Sequence, residues 1–188
     1  MSPARAASRQ SETTTERILN AAVLRFSRHS YETTGLRDIA ADVGVDVAYV
    51  HRCFGSKEKL FREALRVASR PSRFFAGGAR DLATLLVTDL LRSYEPDEVR
   101  PLDMVIRSFA SPEASATLHE MAAVDFIEPF VATFEGTSSR QAALVMAFVA
   151  GIGIAREVMR AEPLLEGTGG ALEEEILDIL KRIMEPKC

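Results

Sequence analysis

Cysteine occurs only twice in the 188 residues, at Cys53 and Cys188. Two thiols this far apart build neither a disulfide framework nor a metal-ligand set. Cys53 is expected as a small core residue and Cys188 as a terminal free thiol. Histidine is equally scarce: His29, His51 and His119 are too scattered for a convergent reactive set. "HEMAAVD" at 119–125 lacks the second histidine at i+4 that a zinc-protease helix needs. Gly151-x-Gly153 falls inside a helical pattern, and "GTGG" has no Lys-Ser/Thr after it, so no phosphate loop is present. No catalytic residue, metal or cofactor is expected, and an enzyme is the wrong class. The longest apolar run, "AALVMAFVAGIGIA" at 142–155, is too short to span a bilayer comfortably. The opening "MSPARAASRQSETTTER" has no apolar segment behind its basic residues, so it is not a signal peptide. Residues 1–12 are expected to form a disordered basic arm on a cytoplasmic protein.

What remains is ordinary for a globular chain, with 47% hydrophobic and 27% charged residues, enough to bury a real core. The net charge of −4 is unevenly spread. Residues 1–70 carry 12 basic and 8 acidic groups, and the remainder 11 and 19. A basic head on an acidic body is the pattern expected if only the head meets phosphate, although two differently solvated faces give it too.

Helical periodicity dominates and no alternating strand run occurs, so the fold is expected to be all-α. A first helix is predicted over Thr14 to Arg28, with Ile18, Ala22, Leu24 and Phe26 on its apolar face. Thr34 is placed as the N-cap of a short helix through Val43, and Gly44 ends it where a left-handed residue is needed. Asp46 caps the next helix, to Cys53, and Ser56 the one after it. "SRPSRFFAGGARD" at 69–81 marks the break between a head at 13–70 and a body at 71–188. Body helices are predicted at 79–93, 101–109, 112–134, 138–160 and 170–185. Ser111-Pro112 gives a clear start, and Pro129 should kink or break its helix.

"RDIAADVGVDVAYVHRCFGSKEKLF", residues 37–61, has the spacing of a helix-turn-helix. Ile39, Val43, Val45, Val50 and Cys53 fall where two short helices touch each other and a supporting helix. Ala40 is small at the crossing and Gly44 sits in the turn. A plain helical hairpin shares part of this pattern, but not all these positions in register. The stretch holds more acid than base up to Phe54, which suits a DNA reader only if the acids face elsewhere. Asp38 and Asp42 share one face of the scaffold helix, and Asp46 is a cap. The groove-facing set is then Val47, Tyr49 and Arg52.

Residues 15–65 resemble the N-terminal DNA-binding domain of the TetR/AcrR family of transcriptional regulators. The resemblance is carried by Arg17-Ile18-Leu19, Ala21-Ala22, Phe26, Tyr31, Thr34, Asp38-Ile39-Ala40, Gly44-Val45, Phe54, Ser56-Lys57 and Leu60. It implies a homodimer with one head per subunit, and a body that holds a small-molecule effector and the dimer interface. It also implies that the amides beside Thr34, and Lys57 itself, approach phosphate, while Val47, Ala48, Tyr49 and Arg52 face the groove. His51 stands where a phosphate-reaching tyrosine is usual and Cys53 where an aromatic is common. Ser30 replaces a glycine, which predicts a mildly strained bend. Backbone neutralisation falls to Arg37, His51, Lys57 and the arm's Arg5 and Arg9.

In the body, Phe126, Phe130 and Phe134 recur at i, i+4 and i+8. With Met104, Phe109 and Met121 they are expected to line a largely apolar effector site, with His119 or Arg107 orienting the ligand. Stripes of this kind also form ordinary core, and the resemblance is what favours a pocket. Ala143, Ala147, Gly151 and Ala155 form a small-residue stripe. With Leu172, Ile176, Ile179, Leu180 and Ile183 on the last helix they are expected to build the dimer interface, though part of the stripe serves intrachain packing. The expected function is a ligand-responsive regulator, a repressor released from a palindromic operator of double-stranded DNA by a small apolar effector. The alternative is a helical adaptor without specific DNA binding. No membrane association is expected.

Overall fold

The computed structural model describes residues 12–95, 97–165 and 170–185, and among them it is helical with no strand. The arm with Arg5 and Arg9, and Cys188, lie outside these residues. The chain divides into two compact units.

The first unit holds α1 (Thr14–Arg28), α2 (Leu36–Val43), α3 (Val47–Phe54), α4 (Lys57–Ser69) and α6 (Pro101–Ser108). Thr13 starts α1 with a reciprocal cap: its hydroxyl accepts the Glu16 amide at 3.2 Å, and the Glu16 carboxylate accepts the Thr13 amide at 2.7 Å. Ile18, Ala22, Val23 and Phe26 are buried in α1, whereas Leu24 is 41% exposed, because it projects from the face opposite Ala22. Phe26, Tyr31 and Phe61 meet ring to ring at 5.0–6.0 Å, and Ile39, Val50 and Leu60 are also buried. Residues 99–118, which the sequence reading assigns to the body, group with the head, where α6 packs on α1 and α4 with Met104 fully buried.

Arg70 ends the first run of the head in a left-handed conformation at φ 47, and Pro71–Phe75 forms a 3₁₀ turn. The second unit holds α5 (Ala79–Leu91), α8 (Glu128–Thr133), α9 (Ser139–Glu157), α10 (Glu162–Leu165) and α11 (Ala171–Met184). The division between the units falls within α7 (Pro112–Ala122). Its core joins Leu82, Leu86 and Val87 of α5 to Phe130, Phe134, Ala142, Val145, Ile176, Leu180 and Met184.

Pro129 was expected to kink or break its helix, and the chain stays helical through it. A π-helical segment, Ala123–Ile127, joins α7 to α8, and the Glu128 amide reaches back to the Ala123 carbonyl. A wider turn just before the proline relieves the clash of its ring with the preceding turn, so the helix continues. The α9 start is a second reciprocal cap, Ser138 with Gln141. The buried Gln141 amide then donates to the Ile183 and Glu185 carbonyls at 3.1 and 2.7 Å, tying α9 to the end of α11.

Candidate nucleic-acid interface

Gly44 adopts φ 74 after α2, and the Val45 amide closes back on the Ala40 carbonyl at 3.0 Å. That turn lets α3 start at once, with the Asp46 carboxylate accepting the Ala48 amide at 2.7 Å. Val50 is fully buried against the head. On a helix of 3.6 residues per turn Ala48 and Arg52 then lie opposite it, and Tyr49 and His51 flank them on either side. Ala48, His51 and Arg52 are exposed, and Val47 and Tyr49 half-buried. The Arg52 guanidinium lies 4.9 Å from the Tyr49 ring centre. No carboxylate lies on this outward arc of α3.

The acids are accounted for. Asp38 accepts the Gly35 amide at 3.0 Å, as the reach-back half of a cap. Asp42 takes both Arg25 donors, at 2.5 and 2.7 Å, in a forked pair between α1 and α2. Those hydrogen bonds hold the Asp42 carboxyl below the usual carboxylate range, against some opposing effect of burial. Arg17 of α1 donates to the Val43 carbonyl at 2.8 Å and ties down the end of α2. Neither arginine was expected in this role, since a partner 17 or 26 residues away leaves no local pattern.

Three head expectations need correction. Thr34 is not the N-cap: it is 1% exposed and its hydroxyl donates to the Ser30 carbonyl at 3.0 Å, while Gly35 caps α2. Arg37, in the first turn of α2, is exposed. Cys53 is exposed rather than in the core, its sulfur 3.9 Å from the Thr15 hydroxyl. Ser30 carries no left-handed strain, and its hydroxyl instead accepts the Thr33 amide at 3.3 Å.

Ser56 caps α4 as expected, its hydroxyl accepting the Lys59 amide at 3.3 Å. A hydrogen bond from Ser56 also holds the Glu58 carboxyl below its usual range. Lys57 places its ammonium 4.1 Å from the centre of the Tyr31 ring. Burial, followed by the charge of Glu58, pushes the Tyr31 phenol up to about 12, so the ring stays neutral under the cation.

The residues expected at an effector site are divided between the two units. Met104 is core of the first unit, and Phe109 is 57% exposed at the end of α6. His119 is exposed, while Met121 is buried in the second unit. Phe126 and Phe130 do meet, at 6.1 Å, but with Phe75 and Phe134 they form a closed aromatic cluster. The dimer set also divides. Ile176 and Leu180 are buried in the chain's own core, because they occupy the α11 face turned toward α5 and α9. Ala143, Ala155 and Ile183 are half-buried, and Ala147 and Gly151 are exposed, with open space where a Gly151 β-carbon would stand.

Known proteins give the same reading as the geometry. Residues 18–64 match the tetR family of bacterial regulatory proteins, and residues 81–184 the C-terminal domain of tetracyclin repressor-like proteins. No curated protein matches the chain. Among solved structures, a TetR-family regulator from Streptomyces coelicolor is 22% identical with a TM-score of 0.61, over 91% of this chain and 94% of that one. NalD, the secondary repressor of the MexAB-OprM multidrug efflux pump in Pseudomonas aeruginosa, is 22% identical with a TM-score of 0.63, over the same shares. A regulator from Saccharomonospora viridis in complex with choline is 20% identical with a TM-score of 0.53, over 90% of this chain and 94% of that one. At such identities the likeness is one of fold. No helix among the described residues is long and apolar enough to cross a membrane. The family matches to both parts of the chain decide its class: it belongs to the TetR family of bacterial regulatory proteins, as a DNA-binding transcription regulator and not an enzyme.

Proposed function

We propose that the protein is a cytoplasmic repressor that binds an inverted-repeat operator as a homodimer and leaves it when a small molecule occupies the body. The observation that carries the operator reading is the outward arc of α3, where Ala48 and Arg52 sit between Tyr49 and His51 with every nearby carboxylate engaged elsewhere. Arg52 is the base-reading side chain, suited to the paired acceptors of guanine. Arg37, Lys57 and the amides opening α2 grip the phosphates.

The dimer reading rests on α9 and α11. Leu144, Ala147 and Gly151 are exposed along α9, and Ile179 is 43% exposed on α11. Small residues on α9 let a second copy approach closely, and a two-fold axis through such a patch matches a palindrome. The effector reading is supported in kind by the regulator recorded with choline. Phe126 and Met121, on either side of the start of the π segment, are the residues proposed beside the ligand. Release requires the effector to favour a head spacing that mismatches the operator, since equal affinity for both states shifts nothing.

The test is selection of duplexes from a random pool, followed by titration of the winner and a scrambled copy. Enrichment of an inverted repeat with half-sites about 34 Å apart or somewhat more is expected. Equal affinity for the selected and scrambled duplexes at moderate salt would sink the operator reading. A thermal-shift screen of aromatic and aliphatic metabolites, with each hit tested for DNA release, addresses the effector.

A further inference from the structure

His51 is exposed on the flank of α3, and its Nδ1 lies 3.2 Å from the Gly55 carbonyl oxygen. The backbone closes the same loop, with the Gly55 amide donating to the His51 carbonyl at 2.8 Å and Gly55 at φ 79. A carbonyl oxygen can only accept, so the hydrogen of a neutral ring sits on Nδ1. Nε2 then carries a bare lone pair. Turned to a phosphate oxygen, that lone pair meets another acceptor and makes no hydrogen bond. The imidazolium, with hydrogens on both nitrogens, keeps the Gly55 bond and adds a charged donor.

Among the described residues, the acids on α2, α3 and α4 are engaged elsewhere. On α3 itself, Asp46 is engaged as the cap and Arg52 lies over Tyr49. From α4, Lys57 lies over Tyr31, Glu58 is held by Ser56, and the Lys59 ammonium is 3.7 Å from where a Gly55 β-carbon would stand. From α2, Arg37 is a cation, Asp38 holds the Gly35 amide and Asp42 is paired with Arg25. Glu63 of α4 is paired with Arg66, so the carboxylates of the three helices are each engaged. The flank position keeps the ring off the arc of Ala48 and Arg52.

We infer that His51 contacts DNA phosphate only as the imidazolium, so each head takes up a proton as it binds. This rests on the DNA-binding reading and adds a charge state to it. The sign follows from linkage. Phosphate makes the bound ring hold its proton more tightly than the free ring. The added affinity is present where the ring is charged and is lost as pH rises through the bound-state value. A one-unit difference between the two states makes each head up to roughly tenfold tighter at low pH.

The experiment is fluorescence anisotropy with the full chain on its selected operator and on an unrelated duplex. It runs from pH 5.5 to 8.5 at fixed ionic strength, with melting temperatures recorded at each pH. Wild type should tighten toward low pH on both duplexes. His51→Gln, uncharged throughout, should lose that slope and bind more weakly than wild type at pH 6. His51→Arg, charged throughout, should be flat and tight, which keeps the test decisive if the glutamine variant folds poorly. A flat wild-type profile overturns the inference, and so does a slope that survives in both variants. A slope on the operator alone would assign the ring to a base edge and overturn the phosphate contact. Failure of wild type to bind any duplex would sink the operator reading as well, and the affinity itself tells that from a flat profile.

Discussion

Arg52 and Lys57 each lie over a tyrosine ring, but the two rings sit in different surroundings. Tyr49 is partly open to solvent, so its contact with Arg52 is worth no more than about 0.5–1 kcal/mol and chiefly narrows where the guanidinium points. Arg52→Ala should cost roughly 1–3 kcal/mol on the operator and little on scrambled DNA, as read by paired titrations. Tyr31 is buried, and its ring fixes Lys57 at the start of α4. Lys57→Ala should weaken binding to all duplexes alike and flatten the plot of log affinity against log salt by about one phosphate contact. The Arg25–Asp42 pair belongs to stability. Its depressed carboxyl contributes above the ordinary aspartate range near 3.9 and is lost as pH falls through the folded-state value. With both side chains about a third exposed it is worth only ~0.2–1 kcal/mol. Asp42→Asn should therefore lower the melting temperature slightly at pH 7 and by progressively less as pH falls below about 4.

At the scale of elements, local signals proved readable where a single residue sets the geometry. Gly44, Asp46, Ser56 and Ser138 each end or begin a helix where the sequence places them, because turn and cap chemistry acts within four residues. Thr34 failed as a cap because a glycine beside it left the hydroxyl nearer the Ser30 carbonyl. At Pro129, where a kink or break was expected, nothing local announces that a π turn will absorb the ring. Apolar stripes were the least legible. Periodicity tells which face is buried but not against what, so Ile176 and Leu180 look the same whether they meet α5 or a second copy. Gln141 is a tie between elements that can be tested. Gln141→Leu keeps the volume but strips the Ile183 and Glu185 carbonyls of their donor, and should cost about 1–3 kcal/mol in chemical denaturation. Gly151→Leu fills open space on α9, and should leave the melting temperature of the single chain nearly unchanged while shifting sedimentation from dimer toward monomer.

For the whole molecule, the division of charge matters more than its total. The excess of base lies in residues 1–70 and the excess of acid in the rest, so DNA attracts one part of the chain and repels the other. The head is also not one continuous stretch of sequence. It is completed by residues 99–118, with Met104 filling a site between α1 and α4. During synthesis, α1 to α4 leave the ribosome while that site is still empty. Roughly fifty further residues must be added before α6 and the start of α7 arrive, a wait of about 2–10 s at ordinary elongation rates. Through that interval Phe26, Phe61 and their neighbours lack one wall of their enclosure. The DNA reader thus matures only after part of the body has been made. A chain truncated after residue 98 should be cut readily within α1 or α4 by a protease, while the full chain should resist.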